Sequence, residues 1–357
     1  MPGKFVWKKF AEVDVNDIFF KSLKADYAEF SDWFQKKSLA NENALVFSDE
    51  QGVQAFIYLK RENEPIELLH KTLPASPRLK IGTLKLSEKI KGIRLGEGAI
   101  GVSLWYWQKT KFDEIYITVF EKHSDLVNLL CRFGFISEGK NRRGENIYVK
   151  RRNLIDYSSS YKSFPFINGN FAKAGIIPIY ENFHDRLFPY SELKGNNKDI
   201  EEETAGNGIT KIYIGFPYTT MHYDVGEPTF IYRIHKGNEQ KTYKSAITSF
   251  CTITKIDIIK DNGKPKISLD NFIKNAGNKT VFTKEELSEM YNSKKENIVM
   301  LEMVYNGFFG KGRNITHRIL SDNGLFQTHP YNIEFTKKQF VQVLDMGGAD
   351  VQNIVIN

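Results

Sequence analysis

Between Leu79 and Lys150 the chain changes periodicity in an order that few folds accommodate. The run LKIGTLKL reads as a strand, Lys80–Leu86. It passes through a basic, glycine-bearing turn, SEKIKGIRLGEGAIG, into a helix. On that helix Leu95, Ala99, Val102 and Tyr106 form one line and Ile100, Leu104 and Trp107 the next, so burial over a broad face is expected. Gly98 and Gly101 each cost such a helix roughly 1 kcal/mol relative to alanine unless close packing requires them. Ile115–Phe120 follows, apolar and β-branched as a central strand should be. Leu126, Leu129, Leu130 and Phe133 mark one face of a short helix that Gly134 stops, and ISEGKNRRGENIYVK continues as a hairpin. A strand that feeds through a glycine turn into a helix N-terminus aims backbone N–H groups at whatever sits there, which suits an anion. A second strand opposite would wall a cleft, and a pyrophosphate-bearing cofactor fits that geometry.

This order and spacing resemble the GNAT family of N-acetyltransferases over about residues 1–155. There a Gln/Arg-x-x-Gly-x-Gly/Ala turn holds the pyrophosphate of acetyl-CoA. With the preceding strand preserved, Lys91, Arg94 and Gly96 fall at its first, fourth and sixth positions and Gly92 at the second. Arg94 stands where the family has glycine. A second register takes Gly96 and Gly98 as the glycine pair, but puts Ile93 first and shortens the approach from the strand. The resemblance implies acetyl-CoA as cofactor, held by Lys91, Gly92, Ile93, Arg94, Leu95, Gly96 and Glu97. Main-chain groups near Leu86 and Ser87 would align the pantetheine and polarise the thioester carbonyl. Glu97 reads as a first-turn carboxylate pointing to solvent.

The family's frequent leaving-thiolate acid, a Tyr four residues before the Gly of the Gly-Phe corner, is Leu130 here and has no proton to donate. Its frequent Asn, eleven before that glycine, is His123. A histidine there is either a proton donor or a helix-start residue bonded locally. Glu121 and Tyr116 are the further acid or base candidates.

At 357 residues the chain exceeds one compact core, so two domains are expected. A content of 41% hydrophobic and 26% charged residues indicates a globular chain, not a disordered one. No run of about 18 apolar residues offers a membrane span, and MPGKFVWKKFAEVD lacks the apolar core of a signal peptide. Cys131 and Cys251 read as buried free thiols of a reducing compartment, which makes cytoplasmic residence the expectation. The net charge of +7 permits an anionic partner such as CoA, RNA or DNA. The seven histidines show no i, i+4 pairing and no cysteines at metal spacing, so no metal is expected. Neither a Gly-x-Ser-x-Gly elbow nor a Walker A run appears.

Ahead of the turn, Phe5–Phe10 is a short strand. A helix from Val15 carries the stripe Phe19, Leu23, Tyr27, Phe30 and Phe34, and Ala44–Ser48 and Val53–Lys60 form a hairpin closed by Gly52. From Tyr157 the texture changes. YSSSYKSFPFINGN reads as a connector, Ala172–Leu193 as a docking segment and GNNKDIEEETAGNG as a mobile acidic loop. The expected boundaries are therefore 1–155, a linker and docking segment over 156–208, and 209–357, whose first core strand is Lys211–Phe216. Thr229–Ile234, Ala246–Ile259 and Ile298–Tyr305 are strand-like, and capping boxes open helices at Thr283 and Thr336.

The run GEPTFIYRI, AITSFCTITKI, a helical insert and IVMLEMVYNGFF resembles the PUA-like β-barrels of the ASCH and EVE families. Gly226-Glu227 and Tyr232-Arg233 fill the family's Gly-acidic and aromatic-polar places. Glu replaces the usual Asp, and the basic-acidic motif of typical ASCH domains is absent. The fold class expected is α/β (α+β), a GNAT-like mixed sheet with flanking helices followed by a mainly-β PUA-like barrel. The second resemblance implies RNA or DNA as partner. Arg142 and Arg143, in a basic run from Lys140 to Arg152, are phosphate candidates, and Tyr218, Tyr232, Arg233 and Phe308 are base-stacking or backbone candidates. The chain thus reads as an acetyl-CoA-dependent N-acyltransferase with a nucleic-acid-binding second domain. The alternative, prompted by Leu130 and Arg94, is a non-catalytic nucleic-acid-binding or regulatory protein on a degenerate GNAT scaffold.

Overall fold

The apolar, β-branched runs of the first 155 residues pair into one seven-stranded mixed sheet. Its strands are β1 (Val6–Lys9), β2 (Asn43–Asp49), β3 (Gly52–Glu62), β4 (Arg78–Leu86), β5 (Glu114–Val119), β6 (Ile136–Lys140) and β7 (Asn146–Arg151), in the order β1-β2-β3-β4-β5-β7-β6. Neighbours are antiparallel except β4 and β5, which run parallel. The structure is a computed structural model describing residues 4–87, 92–191, 193, 204–218, 221–237 and 241–356. It divides into two compact units, Met1–Ile155 and Asp156–Asn357.

Four helices flank the first sheet: α1 (Lys21–Asp26), α2 (Phe30–Leu39), α3 (Leu95–Gln108) and α4 (Ser124–Arg132). The stripe from Phe19 to Phe34 is not one helix. Tyr27 takes extended backbone (φ −132°, ψ 102°) and separates α1 from α2. The break lets Phe10, Phe20, Phe30, Phe34 and Phe56 gather in one cluster, with ring centroids 4.9 Å apart for Phe10–Phe34 and 5.4 Å for Phe20–Phe56. Gly52 closes the β2–β3 hairpin at φ 107°, where a Cβ would fall 2.6 Å from Asp17 Oδ2, the acceptor for the Val53 amide. Helix α3 is buried over most of its surface, with Ala99, Ile100, Leu104 and Trp107 fully enclosed. Helix α4 ends at Gly134 (φ 77°), as its sequence predicts.

The second unit carries a curled, open sheet of β8 (Gly175–Tyr180), β9 (Thr210–Gly215), β10 (Pro228–Ile234), β11 (Ala246–Asp261) and β12 (Ile298–Phe308), in the order β8-β10-β11-β12-β9. Three register shifts along β11 bend it against β12. The sheet therefore begins with Gly175–Tyr180, not with Lys211–Phe216. The segment expected to link and dock supplies an edge strand, parallel to β10. Residues 195–203 of the expected acidic loop lie outside the described residues, and Thr204–Asn207 form a helical turn. Helix α5 (Glu181–Leu187) follows β8 directly, and α6 (Leu269–Ala276), α7 (Lys284–Asn292) and α8 (Lys337–Met346) pack on this sheet's apolar clusters. Both predicted capping boxes are present, Thr283 with Glu286 and Thr336 with Gln339. Both cysteines are free, but only Cys251 is buried; Cys131 is exposed on α4. Among the described residues no helix is long and apolar enough to cross a membrane, and no cluster of three His, Cys, Asp or Glu could hold a metal ion.

Candidate functional site

The parallel pairing of β4 with β5 runs from Arg78–Glu114 to Ile81–Ile117 and stops. Beyond that point β5 stays paired with β7 through Val119, and β4 with β3 through Leu86. The cause lies at Gly82. Tyr58 of β3 faces Thr83 and Leu59 faces Ile81, so Gly82 is the extra residue of a bulge. A bulge bends its strand, and from here β4 leaves β5. The Ser87 amide donates to the Gln54 carbonyl at 2.8 Å. Successive residues of an antiparallel ladder turn their polar groups to alternate sides, so Leu84 and Leu86 present N–H and C=O to the gap. Of the two residues expected to offer main-chain groups, Leu86 does so; the Ser87 N–H is committed to β3.

The gap leads to the turn before α3. Gly92 (φ 87°) and Arg94 (φ 63°, ψ 20°) both take left-handed backbone, and α3 begins at Leu95. Arg94 thus holds a left-handed conformation that favours glycine, at a cost of about 1–2 kcal/mol for a residue with a Cβ. Its Nε and Nη2 donate to the Glu97 carboxylate at 2.8–3.2 Å, and the two side chains are 7% and 10% exposed. Glu97 does not point to solvent as expected: the left-handed residue folds its guanidinium back over the first helical turn and buries the carboxylate beneath it. Arg94's charge is met by Glu97, and Lys91 lies outside the described residues. Leu95 is buried and Ile93 half-buried. At Gly96 a Cβ would meet Leu86 Cδ1 at 3.4 Å and Leu129 Cδ2 at 3.7 Å, so the helix start, the end of β4 and α4 converge there.

The three proton-transfer candidates are not brought together. His123 is exposed at the start of α4 and makes no side-chain capping bond. Glu121 accepts from Asn146 Nδ2 at 3.1 Å and pairs with Lys140 at 3.0 Å, and these two hold its carboxyl below the usual range, which makes it a weak base. Tyr116 is buried on β5, packed with Leu73, Ile147 and Val149, and donates to the Glu62 carboxylate. Burial, then Glu62, push its phenol far above the ordinary value. Leu130 is fully buried. Sequence reasoning missed Glu62, which sits 54 residues from Tyr116 and gives no local signal.

The basic run beyond Phe135 is largely consumed within its own unit. Lys150 Nζ donates to the Phe133 carbonyl at 2.6 Å, and Arg151 lies between Glu114 and Glu138. Arg152 donates to the carbonyls of Trp107, Gln108 and Thr110 at the end of α3. Arg142, 3.2 Å from Glu67, and Arg143 remain outside and exposed.

In the second unit Tyr218 is 94% exposed, and Phe308 is half-buried with its ring stacked on Tyr190 at 5.6 Å. Tyr232 and Arg233 are buried, so they offer no surface to a nucleic acid. The Tyr232 hydroxyl bonds His317 Nδ1 at 3.0 Å, and burial pushes the phenol up to about 12. Arg233 donates to both oxygens of Asp185 at 2.7 and 2.9 Å and lies 3.2 Å from Glu181. The reason is position: β10 is enclosed between β8 and β11, and its register shifts between Ile231 and Tyr232.

No protein-family model matches the chain, and no curated protein matches it. Solved structures are similar to parts of it. A ZmASCH mutant protein from Zymomonas mobilis is 10% identical over 48% of this chain and 96% of its own, with a TM-score of 0.31. The PaiA N-acetyltransferase of Thermoplasma acidophilum in complex with coenzyme A is 15% identical over 42% and 99%, at 0.31. A GNAT-family acetyltransferase from Listeria monocytogenes is 16% identical over 41% and 94%, at 0.30. Each spans less than half of this chain.

Proposed function

We propose that residues 1–155 form a GNAT-type N-acyltransferase domain that uses acetyl-CoA. The observation that carries this reading is the gap between β4 and β5: it opens at the Gly82 bulge, is edged by Leu84 and Leu86, and leads to the left-handed turn before α3. The described residues fit the group. Main-chain N–H and C=O of Leu84 and Leu86 would pair with an amide-bearing arm as a further strand does. Backbone N–H groups from Gly92 to Gly96, with the α3 dipole, would receive the phosphates. Acetyl-CoA supplies an acyl thioester, which a neutral amine attacks directly. The Leu86 N–H would orient the carbonyl, and a ring nitrogen of His123 would carry a proton, since Tyr116 and Glu121 are held by other partners.

The second unit is read as a PUA-like module for RNA or DNA, supported by its curled sheet and the exposed Tyr218. The alternative, a non-catalytic nucleic-acid-binding or regulatory protein, is favoured by one observation: the Arg94–Glu97 pair answers within the turn a charge that a phosphate would otherwise meet. Calorimetric titration of acetyl-CoA and CoA into the full chain separates the readings. Binding that the Lys91→Ala/Arg94→Ala variant weakens is expected. Unchanged affinity in that variant would remove the turn from the site, and no binding at millimolar CoA would leave the scaffold reading.

A further inference from the structure

The second unit holds a cavity of about 220 Å³ over β9, β11 and β12. Its floor follows from register. Lys255, Glu302 and Ile212 lie side by side across β11, β12 and β9, and Asp257, Met300 and Ile214 form the next row. Residues two apart along a strand share a face, so these rows look the same way. Lys274 and Asn275 from the last turn of α6, and Lys279 just beyond it, close the wall.

Ile212 and Met300 are the apolar side chains of the lining, beside which stand three ammonium groups and two carboxylates. Four of these five charges answer one another. Lys255 Nζ donates to Asp257 Oδ2 at 2.6 Å, and Lys279 donates to Glu302. Glu302 also accepts from the Tyr161 hydroxyl at 2.7 Å and Thr254 Oγ1 at 3.1 Å. Burial works to raise its carboxyl, but these donors hold it below the usual range, so it stays ionised. Asn275 Nδ2 reaches the same Asp257 Oδ2 at 3.2 Å, which leaves Oδ1 of that residue to accept. Lys274 is the surplus: it lines the cavity, and no carboxylate lies within ion-pair distance of it among the described residues. A lysine in the last turn of a helix suits the dipole wherever it occurs. Here it also lines a concave site that holds Ile212, Met300 and a fixed acceptor.

We propose that this cavity binds a small organic anion, with its apolar body over Ile212 and Met300, its anionic group on Lys274 Nζ, and Asp257 Oδ1 open to an N–H. The volume falls below the roughly 300–1,000 Å³ of a drug-sized site, so the ligand is metabolite-sized rather than a nucleotide cofactor or a peptide. A carboxylate and a phosphate ester share this chemistry. The proposal stands apart from acyl transfer and from nucleic-acid binding.

The test uses the full chain labelled at methionine methyls, with the Met300 signal assigned from Met300→Leu. Isovalerate, n-butyl phosphate, 3-methylbutanol and inorganic phosphate are titrated separately. A saturable shift of Met300 with isovalerate or butyl phosphate is expected, and the stronger of the two names the anion. Lys274→Met should weaken that binding at least about tenfold, the usual worth of one charge-assisted hydrogen bond, and Lys274→Arg should restore most of it. Lys274 is exposed, so both variants keep the fold. The proposal fails if no organic anion shifts Met300 in the millimolar range, if 3-methylbutanol or inorganic phosphate binds equally well, or if Lys274→Met changes nothing.

Discussion

Replacing Arg94 by glycine sets two energies against each other in the turn before α3. The substitution relieves about 1–2 kcal/mol of left-handed strain, but it also takes the guanidinium from Glu97. Breaking a buried ion pair from one side costs about 3–5 kcal/mol. The lower end applies here, because a carboxylate at a helix N-terminus keeps about 0.3–1 kcal/mol of dipole stabilisation. Arg94→Gly alone should therefore destabilise the first unit by about 1–2 kcal/mol. Glu97→Gln alone leaves a charged, strained Arg94 nine-tenths buried and should cost about 3 kcal/mol. The double variant loses both charges and keeps the strain relief, so with a coupling of about 2–3 kcal/mol it should be more stable than Glu97→Gln alone and close to Arg94→Gly. Trp7, Trp33, Trp105 and Trp107 are the four tryptophans of the chain, and all lie in the first unit. Urea unfolding followed by tryptophan fluorescence thus reports on that unit alone. Single-variant effects that add to within about 0.5 kcal/mol would refute the pair as an energetic unit.

Three further outcomes are expected. In the second unit, burial lowers His184 below its ordinary value; burial works to raise Asp185, but Arg233 and His184 hold that carboxyl below the usual range. In both cases the unfolded state takes up the proton first. The stability these groups confer is therefore complete above about pH 6.5 and falls as pH drops, first through His184 and then, below about pH 4, through Asp185. Urea midpoints by far-UV circular dichroism should show both steps, and His184→Gln should abolish the upper one. Thr283→Ala and Thr336→Ala should each cost about 1 kcal/mol through loss of a capping box. If the first unit touches RNA or DNA, Arg142→Gln/Arg143→Gln should reduce the salt slope of binding by no more than about two, because the rest of the basic run is held internally; a larger change would contradict that assignment.

The order strand, turn, helix, strand is legible in the sequence because its signals are local: a β-branched run, a glycine turn, a stripe at spacings of three and four. Gly52, Gly134 and both capping boxes are legible for the same reason. The Phe19–Phe34 stripe misleads because its spacing continues across a break, and periodicity does not register the backbone torsion at Tyr27. The run from Lys140 to Arg152 advertises charge but not the carboxylates and carbonyls that meet it, which come from as far away as Trp107 and Glu114. Gly175–Tyr180 shows its apolar content, yet parallel pairing with a strand about fifty residues on leaves no local mark. The Arg94–Glu97 pair is the one misreading that sequence could have prevented, since residues three apart meet on a helix.

Under the proposed acyl transfer, His123 is the candidate that stays uncommitted among the three weighed for proton transfer. Leu130 has no proton, Tyr116 gives its own to Glu62, and Glu121 is held ionised by Asn146 and Lys140. His123→Asn restores the residue that the resembled family often carries at this place, so it preserves local polarity while removing the titrating ring. If the imidazole moves the proton, the rate of thiol release should fall by about 10²-fold, the usual contribution of a positioned acid or base. Acetyl-CoA affinity should stay unchanged, and added imidazole should recover part of the rate. A ring that merely starts α4 would give a different result: altered stability, unchanged turnover and no rescue by imidazole. In that case the main chain of Leu84 and Leu86 and solvent water would carry the chemistry without it.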